Sequence, residues 1–418
     1  MPRKNPPQKA PNCFTSKNDT GLTYRIEAVT PIVGGGINSY VPDKTNPVRP
    51  SAIKGQLRFW WRSMQDVSSP EKLLEKEKRI WGGIAGTDQD KAVASSVIMK
   101  IEDVTAEYHT VLERNDKGYI EYDEYPAYVL FPFQGHKEKD SFTLTFPCIF
   151  TLKLQCPQKY KDEVDKSVRL WLLFGGIGAR TSRGCGSLYC EQVMETFKGS
   201  SAIEKFLREC ASDIAPKAGR APFPVLAHAR FASSSDNTGN VEKGWKNLLN
   251  KYGAFRQQNA RGGKMNRGRT RWADADAIRL MTKEYDYNIH PTYYQKPYFP
   301  RAAYGLPIQY EFKEKAFDPQ GKFEVRPSNM ERWPSPVIIK TIQLNNEKYL
   351  NICLVLNSKI PPLELCKKEK SLAISEDAHP DNWKKRRLQK GLDEERDIGE
   401  NPFDFLFVSL DVKEVKNV

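Results

Sequence analysis

A glycine-rich stretch, GGIGARTSRGCG at residues 175–186, has a composition suited to holding a phosphate group. It contains five glycines, two arginines, two hydroxyl residues and no acidic residue. Glycine lets a backbone approach a phosphate closely, while arginine and hydroxyl groups donate hydrogen bonds to it. The alternative, an ordinary hairpin connection, needs only one or two glycines. The stretch therefore predicts an anion-binding loop, with candidate contacts at Gly176, Gly178, Arg180, Thr181, Ser182 and Arg183.

Three cations recur at helical spacing in the stretch RPSAIKGQLRFWWRSMQ, residues 49–65. Lys54, Arg58 and Arg62 stand at i, i+4 and i+8, so they share one face of a helix. Like charges at this spacing destabilise a helix slightly, which a polyanion lying alongside would offset. The row predicts a second anion contact, and a solvated surface stripe is the alternative.

A third basic segment, RQQNARGGKMNRGRTR at residues 256–271, contains six cations and no acid. A run of this composition cannot bury itself, so we expect it to remain mobile until a polyanion orders it. A solvated flexible loop is the alternative. The candidate contacts in this segment are Arg261, Lys264, Arg267, Arg269 and Arg271.

The elements around the first two sites follow a definite order. Residues 22–28 alternate as a strand, and the helix after them is predicted to begin at Ser51 as its N-cap. Further strands are predicted at residues 94–101 and 142–154, with Pro147 at a bulge or an edge, then a helix at 162–174 and a final strand at 187–197. The first helix is expected to bury Ile53, Leu57, Trp60, Trp61 and Met64. The order strand, helix, strand, strand, helix, strand is that of a ferredoxin-like fold.

The rest of the chain predicts a second unit of the same class. A strand at 225–231, a helix at 241–252 and a hairpin of 336–342 with 349–356 follow a proline-containing linker. The alternating stretch FDFLFVSL, residues 403–410, predicts a strand of this protein's own sheet, or of a neighbouring subunit as the alternative. The fold class is therefore α+β, with two tandem ferredoxin-like domains. The expected segments are a disordered leader at 1–20, domains at 21–198 and 225–360, a short helix and linker at 199–224 between them, and a charged extension at 361–418.

Composition restricts the kind of partner. The chain has 418 residues, 39% of them hydrophobic, which is enough for two ordinary cores. A net charge of +13 points to nucleic acid or an anionic membrane surface. No apolar run is long enough to enter a membrane, and the first residues lack a signal-peptide core, so we expect a cytoplasmic protein. The eight cysteines form no CxxC pair, which indicates reduced, mostly buried thiols and predicts neither metal nor cofactor.

Five motifs together resemble the RAMP proteins of CRISPR systems, and in particular the first-numbered RAMP subunit of the type III-B Cmr effector complex. In that family a glycine-rich loop precedes the last strand of a ferredoxin-like domain. The motifs occur in the same order as in the family and span roughly residues 20 to 356. They are RPSAIKGQLRFWWR (49–62), LLFGGIGARTSRGCGS (172–187), RWADADAIR (271–279), FPRAAYGLPI (299–308) and RWPSPVIIK (332–340).

The resemblance implies a subunit of a ribonucleoprotein that surveys RNA. Its expected partners are guide (CRISPR) RNA, target RNA and other RAMP subunits of the Cmr complex, near the 3′ portion of the guide. The subunit is not the nuclease of the family. The residues that match the family's basic positions are Lys54, Arg58, Arg62, Arg180 and Arg183.

Two other classes of function compete with RNA binding. A ribonuclease is the first, because Asp43 lies between the first strand and the first helix, where a backbone RAMP subunit of the same complexes carries a cleaving aspartate. A carboxylate of normal pKa, about 4, is a poor base at neutral pH, and no histidine lies in the loops or the first helix. A membrane-surface or scaffold protein is the second, and it leaves the glycine-rich loop unexplained.

Overall fold

The structure is a computed structural model that describes residues 19–37, 41–65, 69–83, 92–110, 125–130, 143–212, 223–257, 272–289, 292, 296–313, 316–385 and 401–415. Helices and antiparallel sheets are both extensive in these residues, which confirms the α+β class. The predicted leader lies, up to residue 18, outside the described residues. None of the helices within the described ranges is long and apolar enough to cross a membrane.

The first sheet has the strand order of a ferredoxin-like domain. Its strands are β1 (Asp19–Ala28), β2 (Ile32–Val33), β3 (Ile98–Thr110), β4 (Thr143–Pro157) and β5 (Leu188–Tyr189). The lateral order is β5-β1-β4-β3, with β2 continuing beside β4 beyond the end of β1. The helices of this part are α1 (Pro50–Ser63), α2 (Pro70–Trp81), α3 (Ala127–Leu130), α4 (Lys161–Phe174), α5 (Glu191–Met194) and α6 (Ser200–Ala211). Apart from β2 and the helices α2, α3 and α5, this is the predicted sequence of elements.

Helix α1 has the predicted core face but a different start. Ile53, Leu57, Trp60, Trp61 and Met64 are all buried. The prediction of Ser51 as N-cap is wrong, because Arg49 occupies that position without a side-chain hydrogen bond and Pro50 is the first helical residue. Proline suits this position since its ring presets φ and it has no N–H to leave unpaired.

The last part of the first domain differs from the prediction. The expected strand at 187–197 is a two-residue strand, β5, followed by the helical turn α5. Pro147 lies between the residues of β4 that pair with β1 and those that pair with β2, and the register with β3 shifts at the same place. The irregularity at Pro147 was therefore predicted correctly, but β4 is paired on both sides and is not an edge.

The second sheet repeats the same strand order. Its strands are β6 (Val225–Ser233), β7 (Asn237–Thr238), β10 (Val337–Gln343), β11 (Lys348–Asn357) and β14 (Lys413–Val415). They lie in the order β10-β11-β6-β14, with β7 also paired to β11. Two helices belong to this part, α7 (Val241–Gln257) and α9 (Pro402–Leu410). The order matches that of the first sheet, with β6, β10, β11 and β14 in the four positions, and is consistent with tandem ferredoxin-like domains.

The strand predicted at residues 403–410 is wrong, because this segment is helix α9. Asn401 caps it by accepting from the N–H groups of Phe403 and Asp404, and Asp404 returns a bond to the N–H of Asn401. This capping box and Pro402 at the first position specify a helix start that outweighs the alternating phenylalanines. The strand that completes the second sheet is β14, which pairs with β6. The C-terminal residues are thus part of this sheet, and we propose that the second domain extends to residue 415.

A third, four-stranded sheet was not predicted. It consists of β8 (Ile308–Glu311), β9 (Lys322–Pro327), β12 (Leu363–Lys367) and β13 (Lys370–Ala373), in the order β13-β12-β9-β8. Helix α8 (Asp274–Thr282) packs beside it. Arg279 of this helix is buried and donates to both oxygens of Asp318, at 2.7 and 3.0 Å, and to Asp276 at 2.9 Å. The charged motif RWADADAIR is therefore largely interior.

The cysteines behave as predicted where the structure describes them. Seven are free thiols with buried side chains, and Cys13 lies outside the described residues. Burial in apolar surroundings raises the pKa of Cys185 to about 12 and that of Cys148 to about 11. A thiol that stays protonated at neutral pH is a weak nucleophile and a weak metal ligand, so these residues act as small core side chains.

Arg230 connects the C-terminal segment to the second sheet. Its guanidinium donates to both carboxylate oxygens of Glu414 on β14, at 2.7 Å each, and to Asn401 and Asp404 at the start of α9. It also lies 4.9 Å from the ring centre of Phe407. The side chain is 22% exposed, so these bonds are only partly screened by water.

We expect Arg230→Ala to lower the free energy of unfolding by about 2 kcal/mol and to speed hydrogen exchange in α9 and β14. The loss leaves two carboxylates without their cation. Urea denaturation and exchange mass spectrometry would measure both effects. The control is Arg326→Ala, whose side chain is 45% exposed in its pair with Glu364 and should change stability by less than about 0.5 kcal/mol. Equal effects of the two substitutions would contradict the anchoring role of Arg230.

Candidate nucleic-acid interface

The glycine-rich loop, residues 175–186, is built into the protein along most of its length. The N–H of Ala179 donates to the carbonyl of Val33 on β2, and that of Gly186 donates to Pro31, both at 2.8 Å. The two arms of the loop are joined by the bond from the N–H of Ile177 to Gly186, at 3.1 Å. At its tip the chain forms a single 3₁₀ turn, Thr181–Arg183. The loop is therefore a fixed element rather than a free hairpin connection.

The glycines of the loop are needed for packing against protein. A Cβ on Gly176 would lie 2.7 Å from the carbonyl oxygen of Gly186, and one on Gly178 would lie 2.6 Å from that of Val33. A Cβ on Gly186 would be 2.1 Å from the oxygen of Ile177. Distances of this size are steric overlaps, so main chain excludes a side chain at each of the three positions. Gly176 is buried whereas Gly178 is exposed, and phosphate contacts at these two residues stay predictions.

Arg183 is buried and holds the loop to the second sheet. It is 8% exposed, its Nη1 donates to the carbonyl of Val337 at 2.5 Å, and its Nη2 donates to the hydroxyl of Ser335 at 3.1 Å. The guanidinium also lies 4.9 Å from the ring centre of Tyr252. An arginine with these partners cannot reach an external phosphate without leaving them. These bonds give Arg183 a structural role at the junction between the loop and the second sheet.

A second buried cation fixes the start of the loop. Lys340 on β10 is fully buried, and its Nζ donates to the carbonyls of Leu172 at 2.9 Å and Gly175 at 2.7 Å. These carbonyls are at the C-terminus of α4, where the helix leaves such groups unpaired and where a positive charge is favourable. Burial lowers the pKa of Lys340 to about 7. The amine keeps donors for both carbonyls in either protonation state.

The exposed part of the loop is the turn at residues 180–182. Arg180 is exposed and adopts a left-handed conformation with φ of 60°. Its carbonyl accepts from the N–H of Arg183 at 2.8 Å, which closes the turn. Thr181 and Ser182 are half-buried. Of the six loop residues predicted to bind an anion, these three present side chains to solvent from a rigid turn.

The cationic row of α1 is partly neutralised inside the protein. Arg58 through Nε and Arg62 through Nη1 both donate to Oε1 of Glu77 on α2, each at 2.6 Å. Glu77 is 5% exposed, whereas the arginine side chains are 35% and 39% exposed. The repulsion within the row is therefore offset by a buried carboxylate of the same chain. Partial burial and the charge of Arg58 lower the pKa of Lys54, the third member of the row.

The cationic row and the loop lie on opposite flanks of α1. The row faces Glu77 and α2, whereas Gln56, Phe59 and Trp60 border the loop turn at Thr181 and Ser182. The core face of the helix separates the two flanks. The cationic row and the loop therefore do not form one patch. The candidate contacts of the third basic segment lie outside the described residues, namely Arg261, Lys264, Arg267, Arg269 and Arg271.

The open face of the first sheet differs from an aromatic RNA-binding platform. Glu102 on β3 accepts from Lys100 and from Lys153 on β4, each at 2.5 Å. These hydrogen bonds lower the pKa of Glu102 to about 2. Arg25 and Thr151 are paired across β1 and β4 on the same face. Mixed charges that already bind one another make a weak site for stacked bases, so the turn is the better candidate.

Asp43, the candidate catalytic residue, has a local structural role. One of its carboxylate oxygens accepts from the N–H groups of Thr45 and Asn46, both at 3.0 Å. This arrangement is an Asx turn that shapes the loop leading to α1. The Nζ of Lys44, the next residue, lies 5.6 Å from the ring centre of Tyr108.

Sequence reasoning missed a cavity beside the turn. Its volume is about 250 Å³, and its wall is formed by α1, the loop and the second sheet. The two motifs RFWWR and RWPSPVIIK contribute to it from opposite sides of the domain junction. Each was visible in the sequence as a motif, but their proximity was not.

We expect the double substitution Arg58→Ala with Arg62→Ala to destabilise the fold by about 2 kcal/mol, because it leaves the buried Glu77 without a cation. Adding Glu77→Gln should restore most of the loss, since a neutral amide costs less to bury. Chemical denaturation measures all three proteins.

The control pair is Arg79 with Glu75, both on α2. Their side chains are 71% and 70% exposed, and Nη2 of Arg79 lies 4.0 Å from Oε2 of Glu75. Replacing both with alanine should change stability by less than about 0.5 kcal/mol. Failure of Glu77→Gln to restore stability would show that the arginines act on the fold in another way.

Comparison with known proteins places these features in a family. The family model described as the RAMP superfamily matches residues 25–189, which run from β1 through the glycine-rich loop to β5. Over 188 residues the chain is 24% identical to the CRISPR system Cmr subunit Cmr1-2 of Pyrococcus furiosus, which covers 41% of this chain and 96% of that protein.

Two solved structures are similar at low identity. The apo crystal structure of Cmr1 from Pyrococcus furiosus has a TM-score of 0.46 at 15% identity, covering 82% of this chain and 90% of that one. A chain of the type III-B Cmr-beta complex bound to cognate target RNA has a TM-score of 0.43 at 13% identity, covering 81% and 95%. The predicted resemblance is confirmed: residues 25–189 match the family model of the RAMP superfamily, and the curated relative is a Cmr subunit of a CRISPR system.

Proposed function

We propose that this chain is a noncatalytic, cytoplasmic RNA-binding subunit of a type III-B Cmr ribonucleoprotein that acts in antiviral defence. It contacts guide or target RNA near the 3′ end of the guide and lies beside other RAMP subunits. The observation that carries the proposal is the exposed turn at Arg180, Thr181 and Ser182, held rigid between two domains. It presents one cation and two hydroxyls at the position of the family's glycine-rich loop.

The rigidity of the turn supports binding to a flexible polyanion. A preformed turn loses little conformational entropy when it binds, so more of its interaction energy is available as affinity. Arginine forms charge-assisted hydrogen bonds to phosphate oxygens, and hydroxyls add shorter-range donors. Contacts of this kind fix the path of the RNA backbone without reading its sequence. The net charge of +13 favours the same partner over long distances.

The surroundings of Asp43 favour a structural role over catalysis. A general base must be free to take a proton from the 2′-hydroxyl of RNA. Asp43 instead uses one carboxylate oxygen to hold two main-chain N–H groups of its own loop. These bonds explain an aspartate at this position through the shape of its loop, with no catalytic role required.

We expect Arg180→Ala to weaken binding of single-stranded RNA and to reduce the slope of log K against log salt by about 0.7, the value for one lost phosphate contact. Fluorescence anisotropy across a salt series measures both quantities. The matched control is Arg79→Ala, which removes an exposed arginine from α2 and should leave the slope unchanged. An unaltered slope in Arg180→Ala, with a native circular dichroism spectrum, would exclude the turn as a phosphate contact.

We expect the wild-type protein to leave labelled RNA intact, because Asp43 holds the main chain of its own loop and does not act as a general base. Asp43→Asn keeps the acceptor oxygen for Thr45 and Asn46 and removes the charge, so it preserves the loop. Gel analysis of end-labelled RNA after long incubation is the measurement. Cleavage by wild type that disappears in Asp43→Asn would identify the chain as a nuclease and overturn the noncatalytic assignment.

A further inference from the structure

The cavity beside the loop turn has the chemistry of a site for a flat, polar-edged ring. Its volume is about 250 Å³, and it opens where α1, the loop and the second sheet meet. Aromatic and aliphatic side chains form its wall, among them Phe59, Trp60, Phe174 and Ile338. Polar side chains border it as well, namely Gln56, Thr181 and Ser182. A mostly apolar cavity with a few polar groups at its border is the usual form of a small-ligand site.

The aromatic part of the cavity includes an unpaired donor. Trp60 is 1% exposed, and its Nε1 has no hydrogen-bond partner among the described residues. Gly175 lines the cavity next to it, and a Cβ at that position would lie 2.5 Å from Cδ1 of Trp171 and 2.9 Å from Nε1 of Trp60. Only a glycine therefore fits between these two indole rings. Buried donors without partners are uncommon in folded proteins, and a bound ligand or water often supplies the missing acceptor.

The polar groups of the border are also available. Within the described part of the chain, the hydroxyls of Thr181 and Ser182 and the amide of Gln56 make no hydrogen bond. Hydroxyl and amide groups both donate and accept. Such groups can pair with the edge of any nucleobase, whichever pattern of donors and acceptors it presents. Phe59, which is half-buried and meets Trp60 edge to face at 5.2 Å, supplies an aromatic surface beside them.

We propose that this cavity holds one unstacked base of a single-stranded RNA whose phosphate contacts Arg180. The inference rests on the proposed RNA-binding function and adds a base site to it. Arg180 directly precedes Thr181, so a nucleotide that places its phosphate on the guanidinium has its base within reach of the cavity. An RNA base is favoured over an aromatic side chain of a partner protein because the neighbouring turn carries a cation and unpaired donors.

The test separates the contribution of the bases from that of the backbone. The full-length protein is titrated with an oligouridylate and with a base-free ribose-phosphate oligomer of the same length and charge. Gln56→Trp fills the cavity from α1, and Leu74→Trp, at an exposed position of α2, is the control for adding an indole. We expect Gln56→Trp to lower the ratio of the affinity for the oligouridylate to that for the base-free oligomer. The decrease should be about five-fold or more, because stacking of one base contributes about that factor.

The same measurement distinguishes the possible failures. The affinity for the base-free oligomer should not change in Gln56→Trp or in Leu74→Trp. Thr181→Val keeps the side-chain shape and removes the hydroxyl, so it should lower the affinity ratio as Gln56→Trp does. A ratio that stays at the wild-type value in both Gln56→Trp and Thr181→Val, with native spectra, overturns the base site and leaves RNA binding intact. A wild-type ratio of one overturns it as well. Wild-type protein that binds neither oligomer refutes the proposed function itself. Unchanged RNA binding with lost assembly of the complex in Gln56→Trp would assign the cavity to a partner protein.

Discussion

Two buried basic side chains at the domain junction determine where the glycine-rich loop lies. Lys340 from the second sheet bonds the carbonyls that end α4, and Arg183 from the loop bonds the carbonyl of Val337 and the hydroxyl of Ser335 in the other direction. A buried amine or guanidinium without partners is costly, so neither domain can shift without losing several bonds at once. The position of the exposed turn follows from this reciprocal attachment.

The composition of the loop has a different cause from the one its sequence suggests. Its glycines allow main chain to pass within contact distance of β2 and of the loop's own second arm. One of its two arginines is needed at the domain junction. Only three side chains remain for a ligand, at residues 180–182. The packing that occupies the other residues is also what makes this turn rigid, so structure and binding do not compete for the same groups.

Many of the 65 lysines and arginines of the chain are not available to a phosphate. Arg58 and Arg62 share Glu77, Arg230 is paired with Asp404 and Glu414, and Arg279 is enclosed by two aspartates. Each of these arginines is bonded to at least one carboxylate of the same chain. Long-range attraction of RNA depends on the net charge, whereas the strength of the contact depends on the few cations that are free at the interface. Arg180, which is exposed, is the cation that we propose for that small group.

The sequence by itself determined many of the local elements and the resemblance to RAMP proteins. Strong periodicity predicted β1, β4 and α4, and it predicted α1 with the correct core face, because burial of one face imposes a period of two or 3.6 residues on any strand or helix. It failed where a local pattern competed with a cap: the phenylalanines of residues 403–410 alternate like a strand, but Asn401, Pro402 and Asp404 start a helix. Sequence also identified Arg180 and Arg183 as equivalent cations. Only the tertiary structure separated them, since the partners of Arg183 are 152 and 154 residues away and no local pattern records contacts between such distant residues. The cavity beside Thr181 likewise depends on three segments that meet only after both domains have packed together.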